Sequence, residues 1–257
     1  MPVLLCSMRS TMLSDDKQRF ARTALLLGEE AVNTLATKSV AVFGVGGVGG
    51  YTVEALARSG VRKITLFDKD VVDITNINRQ IIALESTVGR YKCDVMKERI
   101  LEINPFAEVI CHNVFYLPEN ADQYPLDSYD YVVDAIDNVS AKIELAVRTH
   151  KAGVKMISAM GAGNKTDPTR FEVTDIYKTT TCPLARVMRR ALKARGIPSL
   201  KVVYSREEAK KPIPPSGCDL TTRFPTASVA FVPSVAGLII AREVIFDLSC
   251  PPCKSDL

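Results

Sequence analysis

Apolar residues along the chain fall into short continuous runs, separated by stretches with helical spacing. The first run, Val40-Ala41-Val42-Phe43, stops at Gly44-Val45-Gly46-Gly47-Val48-Gly49. An amphipathic segment follows, Tyr51 to Ser59, and then a second apolar run, Ile64 to Phe67, closed by Asp68. The pattern reads strand, glycine turn, helix, strand, acid. Further strands are predicted at 108–112, 129–135 and 155–159. Helices are predicted at 16–35 behind a Ser14 cap, at 88–103 behind Thr87, and from Asn138 or Ser140 to Ala152. Asn104-Pro105 ends the second of these. Strand alternating with helix implies an α/β fold: a doubly wound, mostly parallel, Rossmann-like sheet whose ligand crevice lies outside the strand carboxyl ends.

After Gly161 the rhythm changes. Residues 170–177 alternate like a strand, 183–195 form a basic helix, and 200–204 form another strand. Residues 210–224 read as a Pro- and Gly-rich loop, and Pro233 opens an apolar helix over 234–248. The expected organisation is a flexible 1–13, a nucleotide-binding part over 14–160, a mixed substrate-facing part over 161–248 sharing the same sheet, and a flexible tail at 249–257.

Composition narrows the class without choosing a function. Of 257 residues, 47% are apolar and 24% charged, which suits a globular core. No run approaches the roughly 18 apolar residues of a membrane span. Residues 1–13 hold a brief apolar stretch and one arginine, too little for a secretory signal, and a short organellar signal stays open there. Met12 is an alternative start. Seven mostly scattered cysteines suggest free thiols and a reducing, cytoplasmic setting. Charge is uneven. Residues 178–211 carry ten Lys or Arg against Glu207 and Glu208, a local +8, so a total of +4 leaves −4 elsewhere. A polyanionic partner or a merely solvated helix face would each explain this.

The glycines make the turn a candidate phosphate cradle at a helix N-terminus, and Asp68, 19 residues past Gly49, stands where a ribose hydroxyl is held. The loop after Asp68 holds Asp70, Asn76, Asn78, Arg79 and Gln80, with Arg90 and Lys92 beyond. Cations at that edge suit a triphosphate better than a dinucleotide, and Arg79 and Lys92 are placed to neutralise charge at an attacked α-phosphate. Asp134 and Asp137 leave the sheet at the same edge, where one of them suits Mg²⁺ bridging phosphates. The bland alternative is that Asp137-Asn138 only caps a helix.

Five motifs in order carry a family resemblance: the glycine turn, Leu66-Phe67-Asp68-Lys69-Asp70, Asn76-Ile77-Asn78-Arg79-Gln80, Val88-Gly89-Arg90-Tyr91-Lys92 and Asp134-Ala135-Ile136-Asp137-Asn138. The set resembles the ubiquitin-activating-like adenylyltransferases, and Arg19-Phe20-Ala21-Arg22 resembles their N-terminal arginine motif. The resemblance implies ATP with Mg²⁺ and adenylation of a carboxylate. By carry-over, Gly44, Gly46, Gly47 and Gly49 form the nucleotide turn, with Asp70 in the same binding set. Asp68 takes the ribose, Asn76, Arg79 and Lys92 take phosphates, and Asp137 takes the metal. Arg22 would reach a neighbouring subunit's site, making the active unit a homodimer.

The second half resembles the branch that cyclises a modified tRNA base, the threonylcarbamoyladenosine dehydratases, through Ser158 to Lys165, Asp167-Pro168, Asp175-Ile176, Cys182-Pro183-Leu184-Ala185-Arg186 and Phe231 to Gly237. That implies dehydration of N6-threonylcarbamoyladenosine beside the anticodon. Arg186, Arg189, Arg190, Lys193 and Arg195 would face the phosphates of the anticodon stem-loop. The runner-up, activation of a ubiquitin-like sulfur carrier, expects a thiol or zinc pair. Here one Cys-x-x-Cys, Cys250 and Cys253, stands near the end of the chain, with Cys182 and Cys218 isolated. Residues 223–228 lack the cysteine that some relatives carry there, against a thiol relay, and a sulfur-relay partner stays an open question. A third reading, a nucleotide-sensing module without chemistry, has no use for Arg79, Lys92 and Asp137 together. His112 and His150 read as structural.

Overall fold

The computed structural model describes residues 17–213 and 225–249. The Ser14 cap, Cys218, the Cys250 and Cys253 pair, the expected flexible 1–13, the expected tail but for Ser249, which ends a helix, and most of the 210–224 loop lie outside the described residues.

One seven-stranded sheet runs through the molecule: β1 Ser39–Phe43, β2 Lys63–Phe67, β3 Glu108–His112, β4 Tyr131–Asp134, β5 Lys155–Ala159, β6 Phe171–Asp175 and β7 Lys201–Ser205. Its order is β3-β2-β1-β4-β5-β7-β6, and only β6 runs antiparallel to its neighbour. The sheet crosses residue 160 without a break, because β5 pairs with β7 from Ile157 opposite Lys201.

Side chains of successive strand residues point to opposite faces, and the two cores follow that rule. Val40 and Val42 join Leu35, Val53, Leu56, Met96 and Ile240 on one face. Ala41 and Phe43 join Leu145, Met188 and Leu192 on the other. The first core is covered by α2 Glu29–Thr37, α3 Gly49–Arg58, α4 Lys92–Ile103 and α7 Phe231–Ser249. The second lies under α5 Val139–Ala152 and α6 Pro183–Ala194. Burial on both faces explains why the central strands read as unbroken apolar runs.

Three predicted boundaries are corrected. The helix expected over 16–35 breaks at Gly28, whose φ of +91° is left-handed, giving α1 Ala21–Leu27 and then α2. The helix expected from 88 starts at Lys92. Before it, Gly89 at φ +84° turns the chain so that Gly89 N–H donates to Val72 O and Val72 N–H donates to Arg90 O, each at 2.8 Å. Thr87 does not cap that helix. Its hydroxyl accepts from Leu84 N–H at 2.9 Å and donates to Ile82 O at 2.7 Å, closing a short 3-10 turn. The last helix begins at Phe231, two residues before Pro233, which is tolerated inside a first turn.

The last helix, α7, is tied to the first motif of the chain. It crosses α3 at Gly237, where a Cβ would collide with the carbonyl of Val48, and Gly237 O accepts from Thr52 Oγ1 at 3.0 Å. At its far end, Lys201 of β7 pairs with Glu243 and Asp247, both at 2.8 Å, and Asp247 also accepts from Tyr131 Oη at 2.7 Å. Burial alone would raise both carboxyls. Lys201, with Arg242 for Glu243 and Tyr131 for Asp247, holds them below their ordinary values instead. Depressed carboxyls stabilise the fold above their unfolded values and lose that contribution as pH falls through the folded ones. Acid unfolding followed by circular dichroism is therefore expected to be less steep below about pH 5 in Lys201→Met than in the native chain. An unchanged slope would remove the cluster from the acid response.

Candidate functional site

A cavity of about 390 Å³ opens at the carboxyl edge of the sheet, within the size range of small-molecule sites. Its walls bring together residues far apart in sequence: the glycine turn, Asp68 to Asp70, Asn76, Arg79, Gln80, Lys92, Asp137 and Gly163. Of the candidate nucleotide residues, all but Gly49 line it.

Each glycine of the turn has its own reason. Gly44 sits at φ +91°, and a Cβ there would lie 2.6 Å from Ala135 O. A Cβ on Gly49 would strike the carbonyl of Gly44, so Gly49 closes the turn from behind. At Gly46 the nearest atom to a Cβ is Gln80 Nε2, at 3.8 Å, so that side is open to the cavity. A Cβ on Gly47 would press on Pro233 at 3.2 Å. The turn runs into the N-terminus of α3, where free N–H groups favour an anion.

Asp68 is wired into this turn. Its Oδ2 accepts Val45 N–H at 2.7 Å, and its Oδ1 accepts Asp70 N–H at 2.9 Å. Burial pushes its carboxyl above the ordinary range, against the opposing pull of Lys92 and those two N–H groups. Lys92, at the first position of α4, is 5% exposed, and its Nζ meets Asp70 Oδ2 at 2.8 Å. Asn76 is buried, and its Oδ1 accepts Asp73 N–H at 3.2 Å. Arg79 is half-buried, and its guanidinium donates to Thr75 O and Asn78 Oδ1, both at 2.9 Å. Gln80 is 7% exposed, and its Oε1 has no hydrogen-bond partner among the described residues.

Asp134 and Asp137 separate by role. Asp134 is fully buried: its carboxylate takes Lys142 Nζ at 3.0 Å, Ser158 Oγ at 2.5 Å and Ile136 N–H at 3.1 Å. It has no access to the cavity, so the metal candidate is Asp137, which is exposed on the cavity wall. Helix capping falls to Asn138, whose Oδ1 accepts Ala141 N–H at 3.0 Å, leaving Asp137 without a partner among the described residues. No group of three or more His, Cys, Asp or Glu able to hold a metal occurs among the described residues. One free carboxylate beside a phosphate cradle fits Mg²⁺, which is commonly held by one or two carboxylates plus phosphate oxygens.

Lys142 went unnoticed in the sequence, where it stands as a lysine on the apolar stripe of α5 between Ala141 and Leu145. It is 1% exposed, and its Nζ also donates to Ala159 O at 2.8 Å, so one ammonium joins the ends of β4 and β5. Loss of either partner of such a buried pair typically costs about 3–5 kcal/mol. Asn164, at φ +58°, likewise joins the two sides of the cavity mouth through its backbone N–H to Ala227 O at 2.7 Å and its Oδ1 to Ala227 N–H at 2.8 Å. His112 stacks on Phe67, ring centroids 4.6 Å apart, and burial lowers its pKa.

Other candidates lie away from the cavity. Arg22 is exposed on α1, outside the cavity lining, and Leu25 and Leu26 beside it are 88% and 85% exposed. On α6, Arg186, Arg190 and Lys193 are exposed, whereas Arg189 is half-buried and donates to Thr179 O at 2.8 Å and to Thr179 Oγ1. Arg195 donates to Ala191 O at 3.0 Å. Cys182 is buried at the start of α6.

This geometry has close counterparts among known proteins. The ThiF family model matches residues 20–251. The tRNA threonylcarbamoyladenosine dehydratase of Bacillus subtilis (strain 168) is 48% identical over 239 residues, covering 90% of this chain and 94% of that protein. Crystal structures of the E. coli tRNA N6-threonylcarbamoyladenosine dehydratase TcdA, one in complex with ATP and one with AMP, are each similar at a TM-score of 0.82 and 37% identity, over 90% of this chain and 94% of theirs. The match to the family model over most of the chain settles its membership: the chain belongs to the ThiF family.

Proposed function

We propose that the chain is an ATP-dependent tRNA threonylcarbamoyladenosine dehydratase. The observation that carries this reading is one cavity holding the glycine turn, Lys92, Arg79 and an Asp137 without a partner among the described residues. The names of the Bacillus subtilis and E. coli relatives supply the substrate. In the proposed division of labour residues 14–160 supply most of the ATP site and 161–248 face tRNA, although Gly163 and Pro233 also line the cavity.

Asp68 receives a ribose hydroxyl while still holding the turn through Val45. Gly46 leaves its backbone open to phosphate, and Asn76 lies beside it on the same wall. Arg79 and Lys92 neutralise charge as the threonyl carboxylate of the modified base attacks the α-phosphate and pyrophosphate leaves. Asp137 is the residue that would hold Mg²⁺, which would supply positive charge against the polyphosphate. The resulting acyl-adenylate is closed by the base's own carbamoyl group, and AMP departs, so that one water is lost overall. The attacking group is tethered, so ring closure requires no enzyme nucleophile. The burial of Cys182 is in keeping with that. The thiols of Cys93, Cys111 and Cys182, all unpaired, suit a reducing cytoplasm.

The test is mass analysis of nucleosides after incubation with ATP, Mg²⁺ and tRNA bearing or lacking the threonylcarbamoyl group. Loss of one water is expected only with the modified tRNA and ATP together. Lys92→Ala is expected to lower the rate about 100- to 1,000-fold, and Asp137→Asn to raise the Mg²⁺ needed for half-maximal rate. AMP formation that depends on a small carrier protein, with tRNA inert, would overturn the reading.

Arg186, Arg190 and Lys193 are the cations of α6 without a partner among the described residues, and they are the proposed contacts to anticodon stem-loop phosphates. Replacing all three with Ala is expected to weaken tRNA binding and to flatten the slope of log K against log salt by about 2 to 3, since each phosphate contact contributes roughly 0.7 to 0.9. An unchanged slope would move the RNA to another face.

Arg22 is proposed to complete the site of a second copy, with Leu25 and Leu26 covered in the homodimer. Arg22→Ala and Lys92→Ala are each expected to be strongly impaired, and subunit exchange between them to restore activity, because one site of each mixed dimer then holds both residues. No recovery in an exchanging mixture would place Arg22 elsewhere.

A further inference from the structure

Asp70 belongs, by resemblance, with the nucleotide ligands, yet its contacts point across the cavity wall to Lys92. Asp70 Oδ2 lies 2.8 Å from Lys92 Nζ, and Asp70 O accepts Lys92 N–H at 3.0 Å. Next to these contacts Val71 pairs with Tyr91 in a two-strand bridge, so residues 70–72 and 89–92 hold each other along their length. The two ends of the ion pair differ sharply in exposure. The Lys92 side chain is 7% exposed and that of Asp70 is 52% exposed. Asp68 and Asp73 also act on Lys92 electrostatically, but no hydrogen bond joins either side chain to it among the described residues. A lysine at the N-terminus of α4 also sits at the positive end of a helix dipole, which makes a nearby anion more valuable.

We infer that Asp70 is the resident counter-ion of Lys92, a positioning residue that holds the ammonium between turnovers and competes with polyphosphate for it. This rests on the nucleotide reading of the cavity and adds a role to it. A nearly buried ammonium left unpaired would take any anion that reaches it, and pyrophosphate, the leaving group, is the anion formed in its reach. With Asp70 present, release of pyrophosphate returns Lys92 to a partner instead of leaving it alone. A second carboxylate aimed at the phosphates would repel them, so Asp70 has little to offer ATP directly. Lys92 has three N–H donors, so one can stay on Asp70 while the others meet phosphate.

The test is titration calorimetry of the full chain with inorganic pyrophosphate and, separately, with ATP. Four proteins are compared: native, Asp70→Asn, Lys92→Ala and the double variant, with thermal melts to verify folding. Asp70→Asn is expected to bind pyrophosphate at least fivefold more tightly than the native chain. In the Lys92→Ala background the same change is expected to be under twofold, because Asp70 is half exposed and its direct repulsion is screened by solvent and salt. Weaker ATP binding in Asp70→Asn, in both backgrounds alike, would make Asp70 a nucleotide ligand and overturn the inference. So would unchanged or weaker pyrophosphate binding in Asp70→Asn. If Asp70→Asn does not fold, Asp70→Ser is subject to the same expectations. A native chain that binds neither probe would instead sink the nucleotide reading itself, a result distinct from any effect of Asp70.

Discussion

The carboxyl ends of β1 and β4 approach so closely that no side chain fits between them. At Gly44 a Cβ would stand 2.6 Å from Ala135 O, and the backbone there is left-handed. The chain must therefore turn on glycine as it leaves β1. The return path is as tight, since Gly49 passes against the carbonyl of Gly44. In a turn made this way the Gly44 and Val45 amides are bonded to Phe67 O and Asp68, while the side of Gly46, which carries no side chain, stays open to the cavity. Asp68, the acid after β2, is then the nearest side chain able to accept from the turn, and it does so through Val45.

Around that turn the charges are arranged in two layers. The deeper layer is Asp134 with Lys142 and Ser158, sealed from water and spanning two strand ends. It faces no ligand, and it sets where the β4 and β5 exits stand. The outer layer is Asp68, Asp70, Lys92, Arg79 and Asp137, all reachable from the cavity. Buried ion pairs are poor sources of stability because desolvation offsets attraction, but they punish misplacement of either partner. The deep pair suits a frame, and the shallow set suits chemistry.

Much of this was legible in the residues. Strands whose two faces are both buried leave continuous apolar runs, so β1, β2 and β4 stood out, and glycines with an acid 19 residues on marked the turn. Helix starts were less visible. Gly28 lies inside an apparently continuous helical pattern, and only its left-handed φ shows the break. Thr87 looked like a cap, but its hydroxyl is spent within its own turn, because Gly89 and Arg90 are held by Val72. Lys142 was invisible for a plain reason: a lysine in a helix is ordinarily solvated, and nothing local tells that Asp134 waits beneath it. Asp70 was noticed as part of the site, but not its contact with Lys92, since spacing gives a residue's neighbourhood and not the partner its side chain chooses.

The crossing of α7 over α3 has a consequence for how the protein is made. Val48 and Thr52 lie at the start of the chain's first βαβ unit, yet the surface they pack on is supplied by Gly237, close to the end. During synthesis the glycine turn emerges early and waits through roughly 180 residues, about ten to forty seconds at ordinary ribosomal speed, before its cover arrives. A nascent chain of this protein therefore holds the Val48 and Thr52 side of its glycine turn without this contact until Gly237 has been made. The last helix is in this sense part of the seat on which the first motif rests.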